Sequence, residues 1–393
     1  MKIAYISNSI IPSQKANSVH VMKMCNALAK NNIETILFCG GANQNENVVF
    51  SKYGIGNHFK LNRISQSKFL KNIIPNSFYI ALKTYMKLVS KKNEMKKVDY
   101  LYGRSVYGLY LLRNKYKFIY ESHMPPREGL LRFLEKRLLK NKNCLYLVVI
   151  SNALKDRYLE LFPWLDYDKI IVMHDAADEV PDIIGSENKT NLFYQSKQDD
   201  NVIIGYLGHL YFGKCMEIVL ELANKRSNYM FHIVGGTDYW VNYWIKKIKI
   251  LNLNNIKLYG YVDNSEIGDY YRCFDICLLP FSRNIFFDKK KKDDIGSWIS
   301  PLKLFEAMSY GKAILASKLP TIEEVLTDNY DSLLSDPDNV DEWCRKLDVL
   351  VESKITREKL GENALNNLKK SYTWDIRAKK IIKLLESRSN CDN

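Results

Sequence analysis

A run of strand-like residues from Val202 to Leu207 ends in Gly208, and after four intervening residues Gly213 and Lys214 open the helix-patterned stretch that begins at Cys215. Glycine, four residues, glycine and lysine come within one position of a loop that cradles nucleoside triphosphates. That loop needs a hydroxyl after the lysine to bind magnesium. Cys215 stands there instead, and a thiol is a poor ligand for a hard cation. The placing of Gly205, Gly208 and Gly213 also fails the dinucleotide fingerprint. What remains is a glycine turn with an ammonium at the start of a helix, where amide N–H groups and the helix dipole favour an anion. The same residues also suit an ordinary turn with a solvated lysine.

Three more residues have the type and placing for chemistry. Glu306 is the single acid of "SWISPLKLFEAMSYGKAILAS", inside an otherwise apolar helix running from Pro301 to Gly311. An ionised carboxylate there can accept two hydrogen bonds at once. His123 follows the strand-like "FIYES", and strand ends are where open α/β sheets place reacting groups. Arg104, in "YGRS", suits a phosphorylated acceptor and suits a structural ion pair equally. No metal site is expected, because the six histidines form no H-x3-H pair and the eight cysteines no C-x-x-C pair. Cys273 and Cys277 are spaced as on one helix face, and the cysteines read as reduced, mostly buried thiols.

The elements that must position these groups alternate. "KIAYIS" is a strand, the loop that follows ends in Ala16, Asn17 and Ser18, and a helix over 19–30 leads to the strand "ETILFCG". Further strands are expected at "YLYG", "FIYES", "LYLVVIS" and "KIIVMHDAAD". The rhythm restarts at residue 201 after the polar stretch 179–200. This is an α/β chain of two doubly wound parallel-sheet domains. The expected division is an N-terminal domain over 1–178, a linker over 179–200, a C-terminal domain over 201–370, and a crossover helix with tail over 371–393.

The net charge of +14 is uneven: residues 1–190 hold 29 Lys and Arg against 16 Asp and Glu, whereas residues 191–393 hold 29 against 28. One basic half points to an anionic partner met on one side. No nucleic-acid-reading motif stands out, so nucleic acid is not the expected partner. The segment 67–97 mixes apolar residues with lysines and suits an anionic membrane surface. No apolar run reaches about eighteen residues and the first residues lack a signal-peptide pattern, so the expected location is the cytoplasm.

Taken with their order and spacing, "ANSVHVMKMCNALAK", "YESHMPP", "VVISNALKDRY", "FHIVGG", "FDICLLP", "SPLKLFE" and the final "YTW" helix resemble the GT-B glycosyltransferases, and more closely the retaining nucleotide-sugar enzymes of glycosyltransferase family four. The resemblance covers nearly the whole chain. It implies two Rossmann-like domains facing a cleft, with a C-terminal helix returning to the N-terminal domain. The reaction it implies is transfer of a sugar from a UDP- or GDP-linked donor to a glycan or lipid-linked acceptor in bacterial surface polysaccharide or glycoconjugate synthesis. Configuration would be retained, with no metal and no separate cofactor.

By the same resemblance His123, Lys214 and Glu306 are catalytic. Gly208, His209, Lys214, Gly235, Tyr261, Ser300, Leu302, Lys303 and Glu306 bind the donor, Glu306 through the ribose hydroxyls, and Asn17, Ser18 and Arg104 form an acceptor or phosphate loop. Two positions depart from the family pattern: His209 stands where Arg is common, and Trp298 where the first acid of E-x7-E would lie. Those departures keep open a non-catalytic nucleotide-sugar-binding scaffold of a polysaccharide assembly; a GT-B enzyme of another class, an epimerase or inverting transferase, is the other alternative. The lipid-linked acceptor gives the basic N-terminal half a purpose, peripheral attachment to the cytoplasmic face of the inner membrane.

Overall fold

The computed structural model describes residues 1–67, 70, 73–90, 98–180, 202–213, 215–283 and 296–389. It divides into two compact units, Met1–His174 with Trp374–Asn393, and Asp175–Thr373. Lys214, most of 179–200, the run "DKKKKDD" and parts of 67–97 lie outside the described residues.

In the first unit β1 (Lys2–Ile10), α1 (Ala16–Lys30), β2 (Glu34–Gly40), α2 (Glu46–Lys52) and β3 (Lys60–Ile64) are followed by α3 (Asn76–Val89), β4 (Tyr100–Gly103), α4 (Val106–Leu112) and β5 (Lys117–Ser122). Next come α5 (Leu130–Leu139), β6 (Cys144–Val149), α6 (Asn152–Leu161) and β7 (Ile170–Val172). The seven strands lie in the order β3-β2-β1-β4-β5-β6-β7, and every pairing is parallel. Strands covered on both faces carry continuous apolar runs rather than alternating ones; Ile3 to Ile6 of β1 and Leu37 to Cys39 of β2 are fully buried. The strand order reverses between β1 and β4. There Gly103, with φ +152, brings its backbone so close to β1 that a Cβ would lie 2.2 Å from the Ile6 carbonyl oxygen.

The second unit runs β8 (Ile204–Leu207), α7 (Met216–Lys225), β9 (Phe231–Val234), α8 (Asp238–Ile250), β10 (Ile256–Gly260), α9 (Ile267–Cys273) and β11 (Ile276–Leu279). It continues with α10 (Leu302–Ser309), β12 (Ala313–Ser317), α11 (Pro320–Glu323), β13 (Leu333–Ser335), α12 (Val340–Glu352) and α13 (Lys354–Ser371). Six parallel strands in the order β10-β9-β8-β11-β12-β13 reverse between β8 and β11. A hydrophobic layer lies on each side of this sheet, one around Phe274, Phe305 and Met308, the other around Phe231, Trp244 and Trp343. The last helix, α14 (Trp374–Ser389), packs on α1 in the first unit.

Two local expectations are corrected. Cys273 ends α9 and Cys277 lies in β11, so their spacing does not mark a helix face. Phe274 leaves the helical region between them and is fully buried, seated over Gly205, where a Cβ would come within 2.2 Å of its ring. Asn17 and Ser18 are not in a loop but in the first turn of α1, which starts at Ala16 after an extended Lys15.

Candidate functional site

In open α/β sheets a ligand sits beyond the carboxyl ends of the strands, at the place where the strand order reverses. In the first unit those ends deliver Arg104 after β4 and His123 after β5. Between them lies a feature that sequence reading missed. Glu121, the penultimate residue of β5, is 1% exposed. Its Oε1 accepts from His123 Nε2 at 2.6 Å and Arg377 Nη2 at 2.8 Å, and lies 2.8 Å from His20 Nε2. Tyr102 donates its hydroxyl to Oε2. Arg377, on α14, also donates to the carbonyls of Met173 at 2.5 Å and His174 at 2.8 Å.

The electrostatics follow from that arrangement. Burial alone would raise the Glu121 carboxyl, but Arg377, His20 and the hydrogen bonds from the two histidines outweigh it and hold it well below its ordinary value of 4.5. Glu121 is therefore ionised and accepts only, so His123 must carry its proton on Nε2. The opposite nitrogen, Nδ1, is left as a neutral acceptor. Burial, then the Arg104 guanidinium, push His123 down to about 3, so it stays uncharged at neutral pH. His20 meets the His123 ring edge-on at 4.7 Å and the Trp374 ring at 5.0 Å. Arg104 anchors its backbone N–H on the Ile6 carbonyl, and its Nη1 is buried without a hydrogen-bond partner among the described residues. The first unit thus presents a fixed cation and a neutral imidazole with an open lone pair. Ser18 is buried and donates inward to the Lys15 carbonyl at 2.7 Å, whereas Asn17 is exposed.

In the second unit the ends of β8, β9 and β10 are drawn into backbone contact. The Gly208 N–H donates to the Val234 carbonyl at 2.7 Å, and Gly235 N–H to the Gly260 carbonyl at 2.6 Å. Gly235, with φ +117, has room for no side chain, since a Cβ would lie 2.1 Å from the Gly208 carbonyl oxygen. Over Gly208 runs the Lys303 side chain, whose Cε would be 2.9 Å from a Cβ there. Lys303 lies in the first turn of α10, and burial lowers its ammonium to about 8, with Glu306 opposing. Glu306, one turn along, accepts from the Tyr271 hydroxyl at 3.2 Å. Burial first and then Glu306 raise Tyr271 well above 10, so its proton stays in that bond. Tyr271 is stacked on Tyr310 at 5.2 Å.

The remaining expected donor residues are placed less closely. His209 uses its carbonyl to accept from Tyr206 at 2.6 Å, and its ring lies 5.5 Å from Tyr211. Ser300 accepts from the Asp175 N–H at 2.8 Å and retains its own proton to donate. Leu302 is half-buried, Tyr261 is 41% exposed at the end of β10, and Trp298 lies in a single 3-10 turn, Gly296–Trp298. The structure brings Gly208, Gly235, Lys303 and Glu306 together. Tyr271, which links Lys303 and Glu306 from α9, had no local sequence signal.

Residues 187–367 match the family described as Glycosyl transferases group 1. An uncharacterized glycosyltransferase of Methanocaldococcus jannaschii is 27% identical over 252 residues, covering 62% of this chain and 59% of the relative. The N,N'-diacetylbacillosaminyl-diphospho-undecaprenol alpha-1,3-N-acetylgalactosaminyltransferase of Campylobacter jejuni is 24% identical over 207 residues, covering 52% of this chain and 50% of the relative. Both matches span less than two thirds of the relative's length. Among solved structures, Anabaena HepE in complex with UDP and glucose superposes with a TM-score of 0.72 over 98% of this chain and all of that one, at 15% identity. The fold is GT-B. Within a GT-B chain the residues matching the family model include Gly208, Lys303, Glu306 and Tyr271, and those four are the ones gathered where the second sheet reverses its strand order.

Proposed function

We propose that this GT-B chain transfers a sugar from a nucleoside-diphosphate donor, UDP- or GDP-linked, to a glycan or lipid-linked acceptor with retention of configuration. The observation that carries the reading is the Lys303 side chain laid over Gly208, with Glu306 one helical turn along, at the reversal of the second sheet. A diphosphate on that glycine turn receives backbone N–H groups and Lys303; Lys214, expected from the sequence to join them, lies outside the described residues. Negative charge grows on the departing diphosphate as the bond from the sugar carbon to oxygen breaks, and these cations oppose it without requiring a metal. Glu306, already accepting from Tyr271, takes the ribose hydroxyls, since one carboxylate can accept several hydrogen bonds.

In the first unit the neutral His123, with Nε2 fixed on Glu121, offers Nδ1 as an acceptor for a sugar hydroxyl. Arg104 supplies a cation for a phosphorylated acceptor. The diphospho-undecaprenol in the name of the Campylobacter relative supports a lipid-linked acceptor, and polysaccharide or glycoconjugate synthesis is the setting in which such acceptors are used. Among the described residues no helix is long and apolar enough to cross a membrane. Peripheral attachment through the basic N-terminal unit, at the cytoplasmic face of the inner membrane, completes the reading.

The deciding experiment is calorimetric titration with UDP, GDP and their sugar conjugates, followed by NMR assignment of the product anomer. Binding lost in both Lys303→Met and Glu306→Gln, with an anomer unchanged from donor to product, agrees with the proposal. An inverted anomer refutes retention. A second reading, a nucleotide-sugar-binding scaffold without turnover, is favoured by Trp298 standing in place of an acid; tight donor binding without transfer or hydrolysis would establish it.

A further inference from the structure

Helix α5 buries Leu138 and Leu139, yet it also buries an acid and leaves large apolar side chains outside. Beside those leucines, Glu135 is 3% exposed and accepts from Tyr120 at 2.9 Å and also from Tyr158. The outward face carries Leu130 and Phe133, 64% and 52% exposed, together with the exposed Lys136, Arg137 and Lys140. Positions 130, 133, 137 and 140 recur at helical spacing, so apolar and cationic side chains share one stripe.

The aromatic rings there are already paired with cations. Arg137 lies over the Phe133 ring at 5.2 Å, and Lys140 over the ring of Trp164 at 4.8 Å. Trp164 is itself 40% exposed. Between α4 and α5, Arg113, Lys136, Arg137 and Lys140 line an open recess of about 620 Å³. Residues 127–142 hold six Lys and Arg, and of their two acids Glu135 is turned into the core. An anion approaching this face meets cations almost alone.

We infer that the outer face of α5, with Trp164, docks on an anionic phospholipid bilayer. In this mode Leu130, Phe133 and Trp164 enter the headgroup boundary and the recess between α4 and α5 receives lipid phosphate. Exposed aliphatic and aromatic side chains gain by leaving water, and long basic side chains lying along them keep their heads at phosphate depth. Ten residues of helix span about 15 Å, enough to lie in the interface and too short to cross it. A second copy of the chain would bring this cationic stripe against itself, and a nucleic acid would leave Leu130 and Phe133 without a partner. The inference narrows the attachment proposed above, which sequence reading put on residues 67–97, to a particular helix. It is tested without any enzymatic readout.

The experiment is co-sedimentation of the full chain with phosphatidylcholine vesicles containing about one third phosphatidylglycerol, against phosphatidylcholine alone. The expected result is salt-sensitive binding to the anionic vesicles, reduced about tenfold or more in Leu130→Ser/Phe133→Ser and in Lys136→Glu/Arg137→Glu. Brominated lipid should quench tryptophan emission in the parent and do so less in Trp164→Phe. Unchanged melting and unchanged UDP or GDP titration in these variants keep their loss of vesicle binding separate from misfolding and from failure of the donor reading. Equal binding to neutral vesicles, or partition unaffected by either double variant, overturns the inference. So does a dimer in lipid-free solution that Leu130→Ser/Phe133→Ser dissolves, or oligonucleotide binding that only the charge reversal removes.

Discussion

Lys303 makes the nucleotide-free protein less stable while making it fit to hold a diphosphate. Its ammonium is lowered from 10.5 to about 8 by burial. In the unfolded chain the same group titrates near its ordinary value, so between about pH 8 and pH 10.5 the unfolded state holds more protons and stability rises with pH. Below that window the folded protein bears the cost of a charge in a poorly solvated place. A shift of that size corresponds to at most about 3 kcal/mol, less where water reaches the group. Replacing Lys303 by Met, which keeps the bulk over Gly208 and removes the charge, is therefore expected to raise the melting temperature of the nucleotide-free protein. The same change weakens diphosphate binding, since one lost donor to such a group is worth about 3 kcal/mol, roughly 150-fold. In the parent, affinity for UDP or GDP should fall by up to about tenfold per pH unit above pH 8, as the ammonium must be charged before it can act. Lys303→Arg, which stays charged, should flatten that slope. Calorimetric titrations across this pH range, paired with thermal melts, measure both halves. A Met variant that melts lower than the parent, or a parent affinity that ignores pH across the window, refutes the reasoning.

Three further outcomes are expected. Removing Arg377 takes from Glu121, 1% exposed, its only guanidinium among the described residues and leaves it with His123, Tyr102 and His20, which is expected to cost about 3–5 kcal/mol in denaturant unfolding; adding Glu121→Gln should recover part of that loss, and additive losses would argue against the pair. Glu135 is raised to about 7, chiefly by burial and against the hydrogen bonds from Tyr158 and Tyr120; since it titrates near 4.5 when unfolded, its contribution favours the folded state below that pH and fades as pH rises toward 7. A Glu135→Gln variant should lose that slope, up to about 3 kcal/mol, in urea melts at pH 4.5 and 7. Gly235→Ala forces a Cβ to within 2.1 Å of the Gly208 carbonyl oxygen at a φ of +117, so it should cost more than about 2 kcal/mol and abolish nucleotide-induced stabilisation.

Much of the architecture was legible because the forces that set it are local. Apolar runs of four to six residues ending in glycine marked β8 and β9, and the isolated acid in an apolar helix marked Glu306. Errors arose where tertiary packing overrode spacing: Cys273 and Cys277 suited a helix until the buried Phe274 turned the chain into β11. Asn17 and Ser18 were read as loop because polar residues carry little apolar periodicity, although the Ser18 hydroxyl donates to the Lys15 carbonyl and the helix begins at Ala16. The partnership of Glu121 with Arg377 bridges 256 residues, and no local pattern announces a contact of that range. Tyr271 escaped notice for the same reason: its role toward Glu306 exists only once α9 and α10 are packed together.

The chain leaves the first unit at His174 and re-enters it at Trp374. During synthesis, therefore, the Asp175–Thr373 unit can finish folding while its host is still incomplete. Until Arg377 emerges, the carboxylate of Glu121 has no guanidinium to meet, and the face of α1 that packs on the last helix stays open to solvent. The half made first is the half finished last, and a holdase that shields α1 in that interval would act on the nascent protein at its most vulnerable stage.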